Sequence, residues 1–163
     1  SLINKSVNFL SKSTKVIFEK LKDVPKDFNE IIEPRTILQK DKKNAEALRK
    51  VAGFYQARKL YYQSSIFLKD LVKITENSKE SENLMINLAF NYIRASMPND
   101  ANKYLKKIKK EFPDTSRMDF VIYGQIAVYL QKRKKKKAKK TFEQLKTEFP
   151  NSNYVESAKK LFN

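Results

Sequence analysis

A period of 37 residues constrains this chain more than any other feature of its sequence. Tyr55, Tyr92 and Tyr129 recur at that step, as do Leu68, Leu105 and Phe142. Leu71, Ile108 and Leu145 follow it too, and so do Ser64, Ala101 and Ala138. A fixed spacing in the range of about 20 to 50 residues marks a solenoid, because each unit buries its apolar face only against its neighbours. Such a fold presents an extended surface, so the expected function leans toward binding. Two glycines and five prolines in 163 residues favour long helices over sheet.

Within each period the apolar residues fall at helical spacing. Leu48, Val51, Ala52 and Tyr55 form the face of one helix; Tyr61, Ser64, Leu68 and Leu71 form that of the next. The second unit uses Met85, Leu88, Ala89 and Tyr92, then Ala101, Leu105 and Ile108. In the third the series is Ile122, Ile126 and Tyr129, then Ala138, Phe142 and Leu145. Small residues at 64, 101 and 138 let paired helices approach closely. Pro113 and Pro150 end the second helices, since proline has no backbone N–H to donate. Asp114-Thr115 and Asn151-Ser152 then offer capping side chains for the helix that follows. Gly53 and Gly124 fall inside first helices, where close packing is the expected reason for them.

The pattern predicts an all-α domain over 44–163, with repeats at about 45–81, 82–118 and 119–152. A capping helix over 153–163, carrying Tyr154, Ala158 and Leu161, covers the last core face. Residues 1–43 break the period, because one step back places Lys15 and Pro34 at core positions. They are expected to form an N-terminal helical flank. Val7, Leu10, Thr14, Ile17 and Leu21 make an amphipathic stripe there. Pro25 and Pro34 punctuate a short helical piece with Phe28, Ile31 and Ile32.

Histidine and cysteine are absent, which removes the commonest general base, the commonest metal ligand and any disulfide. No glycine-rich phosphate loop occurs, and no Ser–Lys or carboxylate pair stands out. No enzyme activity, cofactor or metal site is therefore expected; Asp100, Asp114 and Asp119 sit where caps and turns want them. No run approaches the roughly 18 apolar residues of a membrane span. Lys5, Lys12 and Lys15 interrupt any signal-peptide core, and the opening Ser leaves room for a removed targeting segment.

The net charge is +17, and residues 116–163 hold twelve basic against four acidic side chains. The densest part is Lys132, Arg133, Lys134, Lys135, Lys136 and Lys137, with Lys139 and Lys140, expected in the turn between the third unit's helices. It reads either as a solvated turn in a composition of 29 lysines and 6 arginines, or as a contact for an anionic partner. That partner would be an acidic membrane surface, an acidic protein or nucleic acid bound through its phosphates. Sequence-specific nucleic-acid reading is not expected, because arginines are few and no aromatics interleave with the lysines.

The order of Ala/Ser, Tyr, Leu/Phe and Pro positions resembles the tetratricopeptide repeat, with three residues added between the closing proline and the next helix. Lys110-Glu111-Phe112-Pro113-Asp114-Thr115 and Thr147-Glu148-Phe149-Pro150-Asn151-Ser152 are similar to the FP-(D/N)-(S/T) junctions of bacterial cell-envelope members. Those members are of the outer-membrane assembly lipoprotein and periplasmic division-coordinator type. The resemblance covers residues 45–163. Departures are the missing first-helix Trp, Ile126 at the Gly/Ala position, and Glu76 in place of the first unit's closing proline.

What the resemblance implies is a right-handed α-solenoid whose first helices form a concave binding face. Its ligand positions map to Glu46, Arg49, Gly53, Gln56 and Ala57 in the first repeat. In the second they map to Asn83, Ile86, Phe90, Ile93 and Arg94, and in the third to Phe120, Tyr123, Ala127, Leu130 and Gln131. Ile86, Phe90, Ile93, Phe120, Tyr123 and Leu130 make an apolar stripe too large to be left in water. Either it is core covered by the chain's own flank or capping helix, or it receives an amphipathic helix or extended segment of another protein. The implied role is a protein–protein interaction scaffold on the periplasmic side of a bacterial envelope, membrane-tethered in the full-length protein. A cytoplasmic location is the alternative, and a basic adaptor for anionic membrane or nucleic acid is the alternative function. Residues 1–22 are expected to pack on the groove or to mediate self-association.

Overall fold

A computed structural model describes residues 29–163. Among these there are eight helices and no strand: α1 (Asn29–Lys40), α2 (Ala45–Ala57), α3 (Tyr61–Ile74), α4 (Ser81–Arg94), α5 (Pro98–Glu111), α6 (Met118–Gln131), α7 (Lys135–Glu148) and α8 (Tyr154–Lys160). Helices α2/α3, α4/α5 and α6/α7 pair as hairpins. Each hairpin packs on the next through its second helix, α1 lies on α2, and α8 closes against α6 and α7. Nearly every contact is between neighbours in sequence, as a solenoid requires. No helix among the described residues is long and apolar enough to cross a membrane.

The periodic residues take equivalent places. Ser64, Ala101 and Ala138 are fully buried where paired helices come closest, and Leu71, Leu105, Ile108 and Leu145 fill the hairpin interiors. The three hairpin turns share one backbone design. Lys59, Ser96 and Arg133 adopt φ of 58°, 58° and 57°. The N–H groups of Leu60, Met97 and Lys134 reach back to the carbonyls of Tyr55, Tyr92 and Tyr129 at 2.9, 2.8 and 2.8 Å. This is a Schellman closure, in which the left-handed position normally favours glycine. The recurring tyrosine thus supplies a backbone acceptor as well as a ring.

Two expectations about local structure are corrected. Pro34 does not interrupt its segment: it lies inside α1, where it and Ile31 are the buried residues. The helix forgoes one backbone bond there, and the apolar contact with α2 offsets the loss. Thr115 and Ser152 form turns ahead of the next helix instead of capping it, since the N-caps of α6 and α8, Arg117 and Asn153, make no side-chain capping bond. Each accepts a hydrogen bond from a backbone N–H two residues on, Arg117 at 3.2 Å and Tyr154 at 3.1 Å. Each also donates to an acid on the preceding first helix, Thr115 to Glu82 and Ser152 to Asp119 at 2.6 Å. The first repeat has Ala45 and Ser78 at these positions, so it lacks this lock. Pro25, Phe28 and the stripe from Val7 to Leu21 lie outside the described residues.

Candidate functional site

The inner face is built differently at its two junctions. Between the second and third hairpins the first helices α4 and α6 meet directly. Gly124 makes this possible, because a Cβ there would sit 3.0 Å from Phe90 Cζ and 3.3 Å from Leu105 Cδ2. Phe90 lies over that glycine, and Phe120 stacks on it with centroids 3.9 Å apart and planes 10° apart. Tyr123 continues the stack at 6.2 Å from Phe120. Tyr154 of α8 closes it, at 4.8 Å from Phe120 and 5.4 Å from Tyr123. Beside the rings remains a cleft of about 320 Å³, lined by Phe90, Ile93, Arg94, Phe120, Tyr123, Ala127, Leu130, Gln131 and Leu161.

Two side chains fix the rim. Gln131 donates to the Ile93 carbonyl at 2.8 Å, tying the end of α6 to α4. Arg94 holds its guanidinium 5.2 Å above Tyr61 and 6.0 Å from the Phe90 ring. Such cation–π contacts orient the group while leaving its N–H donors outward. Helix α6 is apolar over most of its surface, with Gln125 buried and donating to Asn102 at 3.2 Å. Val121, Ile122, Ile126 and Val128 are buried, while Phe120, Tyr123, Ala127 and Leu130 are half-buried toward the cleft. A helix of that kind needs cover on more than one face.

The first junction is open. No Cα of α2 comes within 8 Å of one in α4. A depression of about 360 Å³ lies between them, with Leu68, Leu71 and Leu84 below and Arg49, Gly53, Gln56, Ala57 and Asn87 around it. Nothing stands within 4 Å of where a Gly53 Cβ would be. Arg49 spans the gap with a bidentate pair to Glu80 at 2.9 and 2.6 Å. That hydrogen-bonded pairing raises the guanidinium pKa and holds the Glu80 carboxyl below its usual range. Under the depression Asn91 is fully buried, donating to Ser64 Oγ at 3.2 Å and Gln56 Oε1 at 3.3 Å. Ser64 in turn donates to the Ala52 carbonyl at 2.9 Å, and Asn91 Oδ1 has no partner.

The positions expected to line one groove therefore divide. Phe90, Ile93, Arg94, Phe120, Tyr123 and Leu130 converge on the α4/α6 cleft, whereas Arg49 and Gln56 belong to the first depression. Asn83 accepts from Arg117 at 3.2 Å at the start of α4. Ile86 is corrected outright: it is fully buried in the core, because α6 packs straight onto α4 above it. Gly53 is corrected too, being exposed rather than closely packed. Leu161 and Tyr154 were expected only to cap the core, yet Leu161 lines the cleft and Tyr154 packs on its Phe120 and Tyr123 rings. Their fall on the inner side depends on how α8 turns after Pro150, which no spacing rule predicts.

The basic run is also placed differently from expectation. Only Lys132, Arg133 and Lys134 occupy the turn; Lys135, Lys136, Lys137, Lys139 and Lys140 lie on α7. The physical reason is Ala138, which is fully buried and needs the helix to begin before it. No acidic residue stands in the first turn of α7. The lysines thus crowd the positive end of a helix dipole, an unfavourable arrangement.

A family model described as tetratricopeptide repeat matches residues 84–115 and 121–152. No curated protein and no solved structure matches the chain. The two matched segments carry the helices that build the α4/α6 cleft, and these two hairpins are similar to tetratricopeptide repeats.

Proposed function

We propose that this chain is a non-enzymatic scaffold that holds a segment of another protein in the cleft between α4 and α6. One observation carries the proposal: the apolar Phe120, Tyr123 and Leu130 of α6 stay half-buried around a cleft of about 320 Å³. Rigid aromatic walls receive apolar anchors at low entropic cost, and an amphipathic helix presents such anchors one turn apart. Arg94 stands at the rim with its donors free to meet an acidic or carbonyl group beside those anchors. Tetratricopeptide repeats generally act as protein-interaction scaffolds, which agrees with this geometry. The bacterial envelope setting is part of the proposal and rests on the FP-(D/N)-(S/T) junctions alone.

Co-purification from native cells tests it. Phe90 is unsuitable for charge substitution, since it is 6% exposed and a charge there would be buried. Tyr123→Glu with Leu130→Glu should abolish recovery of a partner that wild type retains. Tyr62→Glu with Ile66→Glu, on side chains 53% and 47% exposed on α3, should leave it. Recovery of the same partners by the folded Tyr123/Leu130 variant would contradict the proposal.

A further inference from the structure

A second surface lies at the far end of the molecule, where α7 meets α8. Lys135, Lys139 and Phe142 follow one face of α7, and Lys159 and Phe162 meet them from the end of α8. With Glu143 and Asn163 they line a cavity of about 370 Å³. The two phenyl rings pack at 5.5 Å and form its apolar floor. Glu143 is the acid in the lining, and it is already paired with Lys146 at 2.8 Å. Lys135, Lys139 and Lys159 have no ion pair among the described residues. From 132 to 160 the chain holds eleven basic side chains against three acidic ones. Such crowding repels itself in the folded state and is relieved when an anionic surface approaches.

The chemistry of the seam favours lipid over nucleic acid. Phe162 is half-buried beside the lysines, whose long stems let charged ends reach outward past apolar neighbours. Basic and apolar side chains mixed on one face suit a headgroup boundary. Bases, by contrast, need open ring faces. Here Lys146 lies 5.0 Å over the Phe142 ring and Phe162 packs against it, and Arg133 is the basic run's one arginine. We propose that the α7–α8 seam docks on an anionic lipid bilayer, with Lys135, Lys139 and Lys159 meeting headgroup phosphates and Phe162 entering the interface.

Vesicle co-sedimentation of the full chain tests this. Phosphatidylcholine vesicles containing phosphatidylglycerol should bind it, and pure phosphatidylcholine vesicles should not. Replacing Lys135, Lys139 and Lys159 by Gln should weaken binding on the order of 100-fold, given the usual contribution of a lysine at such a surface. Replacing Lys69, Lys73 and Lys79 by Gln removes the same charge from exposed sites elsewhere, and should change binding less than about threefold. Circular dichroism checks that both variants remain folded. Equal losses from the two triples would overturn the proposal, since net charge alone would then explain binding. So would capture of a single-stranded oligonucleotide in place of the anionic vesicles.

Discussion

The two junctions between successive hairpins use the same 37-residue frame and reach opposite results. At equivalent positions the first repeat has Glu46, Arg49, Gly53 and Gln56, the second Asn83, Ile86, Phe90 and Ile93, and the third Phe120, Tyr123, Ala127 and Leu130. The first junction is held apart, bridged by Arg49–Glu80, and has a buried polar group beneath it. The second is pulled together by stacked rings over a glycine. Periodic core residues therefore fix where the helices run, and the aperiodic inner residues decide whether neighbouring first helices touch. A cleft arises where an aromatic wall is built, and the repeat frame alone does not build it.

Breaking the second junction should have the largest effect. Phe90→Ala removes a buried ring and its stacking on Phe120, and should cost about 3 to 4 kcal/mol by chemical denaturation. Asn91→Val tests the first junction. Val128 fills the equivalent site in the third repeat, and the substitution removes a buried oxygen without a partner. Stability should rise by about 1 to 2 kcal/mol; a loss would mean that the Asn91–Ser64–Gln56 network carries the junction.

The two glycines then separate the junctions directly. Gly124→Ala should destabilise by about 1 kcal/mol, because the new methyl meets a ring held in place by Phe120 and this exceeds the gain in helix propensity. Gly53→Ala should stabilise by about 0.5 to 1 kcal/mol, since the site is open and mid-helix. Equal effects at the two glycines would erase the distinction.

The smallest effect belongs to the exposed Arg49–Glu80 bridge. Glu80 has its carboxyl pKa lowered in the folded state, so its contribution is present above the usual carboxylate pKa and lost as pH falls through the lowered value. The melting difference between wild type and Glu80→Gln should be slight at neutral pH, reduced by salt, and gone in acid.

The hairpins were legible because each core position is stated three times, as with Leu71, Ile108 and Leu145. The C-terminal helix was legible because Tyr154, Ala158 and Leu161 fall at helical spacing where the last core face needs cover. Other features were not, each for a local reason. Pro34 reads as a helix stop, yet its burial beside Ile31 outweighs one missing backbone bond. Ile86 holds a groove position by resemblance, but its exposure depends on how closely α6 approaches, and that turns on Gly124 and the rings stacked over it. The start of α7 was hidden by a run of lysines whose charge suggests a solvated turn, while the single Ala138 sets the register. Asn91 stands where Phe54 and Val128 stand in the other repeats, a visible departure whose consequence needed the coordinates of Ser64 and Gln56.

Site-specific photocrosslinking in native cells tests the central claim most directly. A benzophenone side chain placed at Tyr123 or Leu130 should yield a discrete protein adduct on illumination, while the same group at Gly53 or Tyr62 should yield none. Adducts of equal strength from all four positions, or none from Tyr123 and Leu130 in a folded protein, would contradict a partner held between α4 and α6.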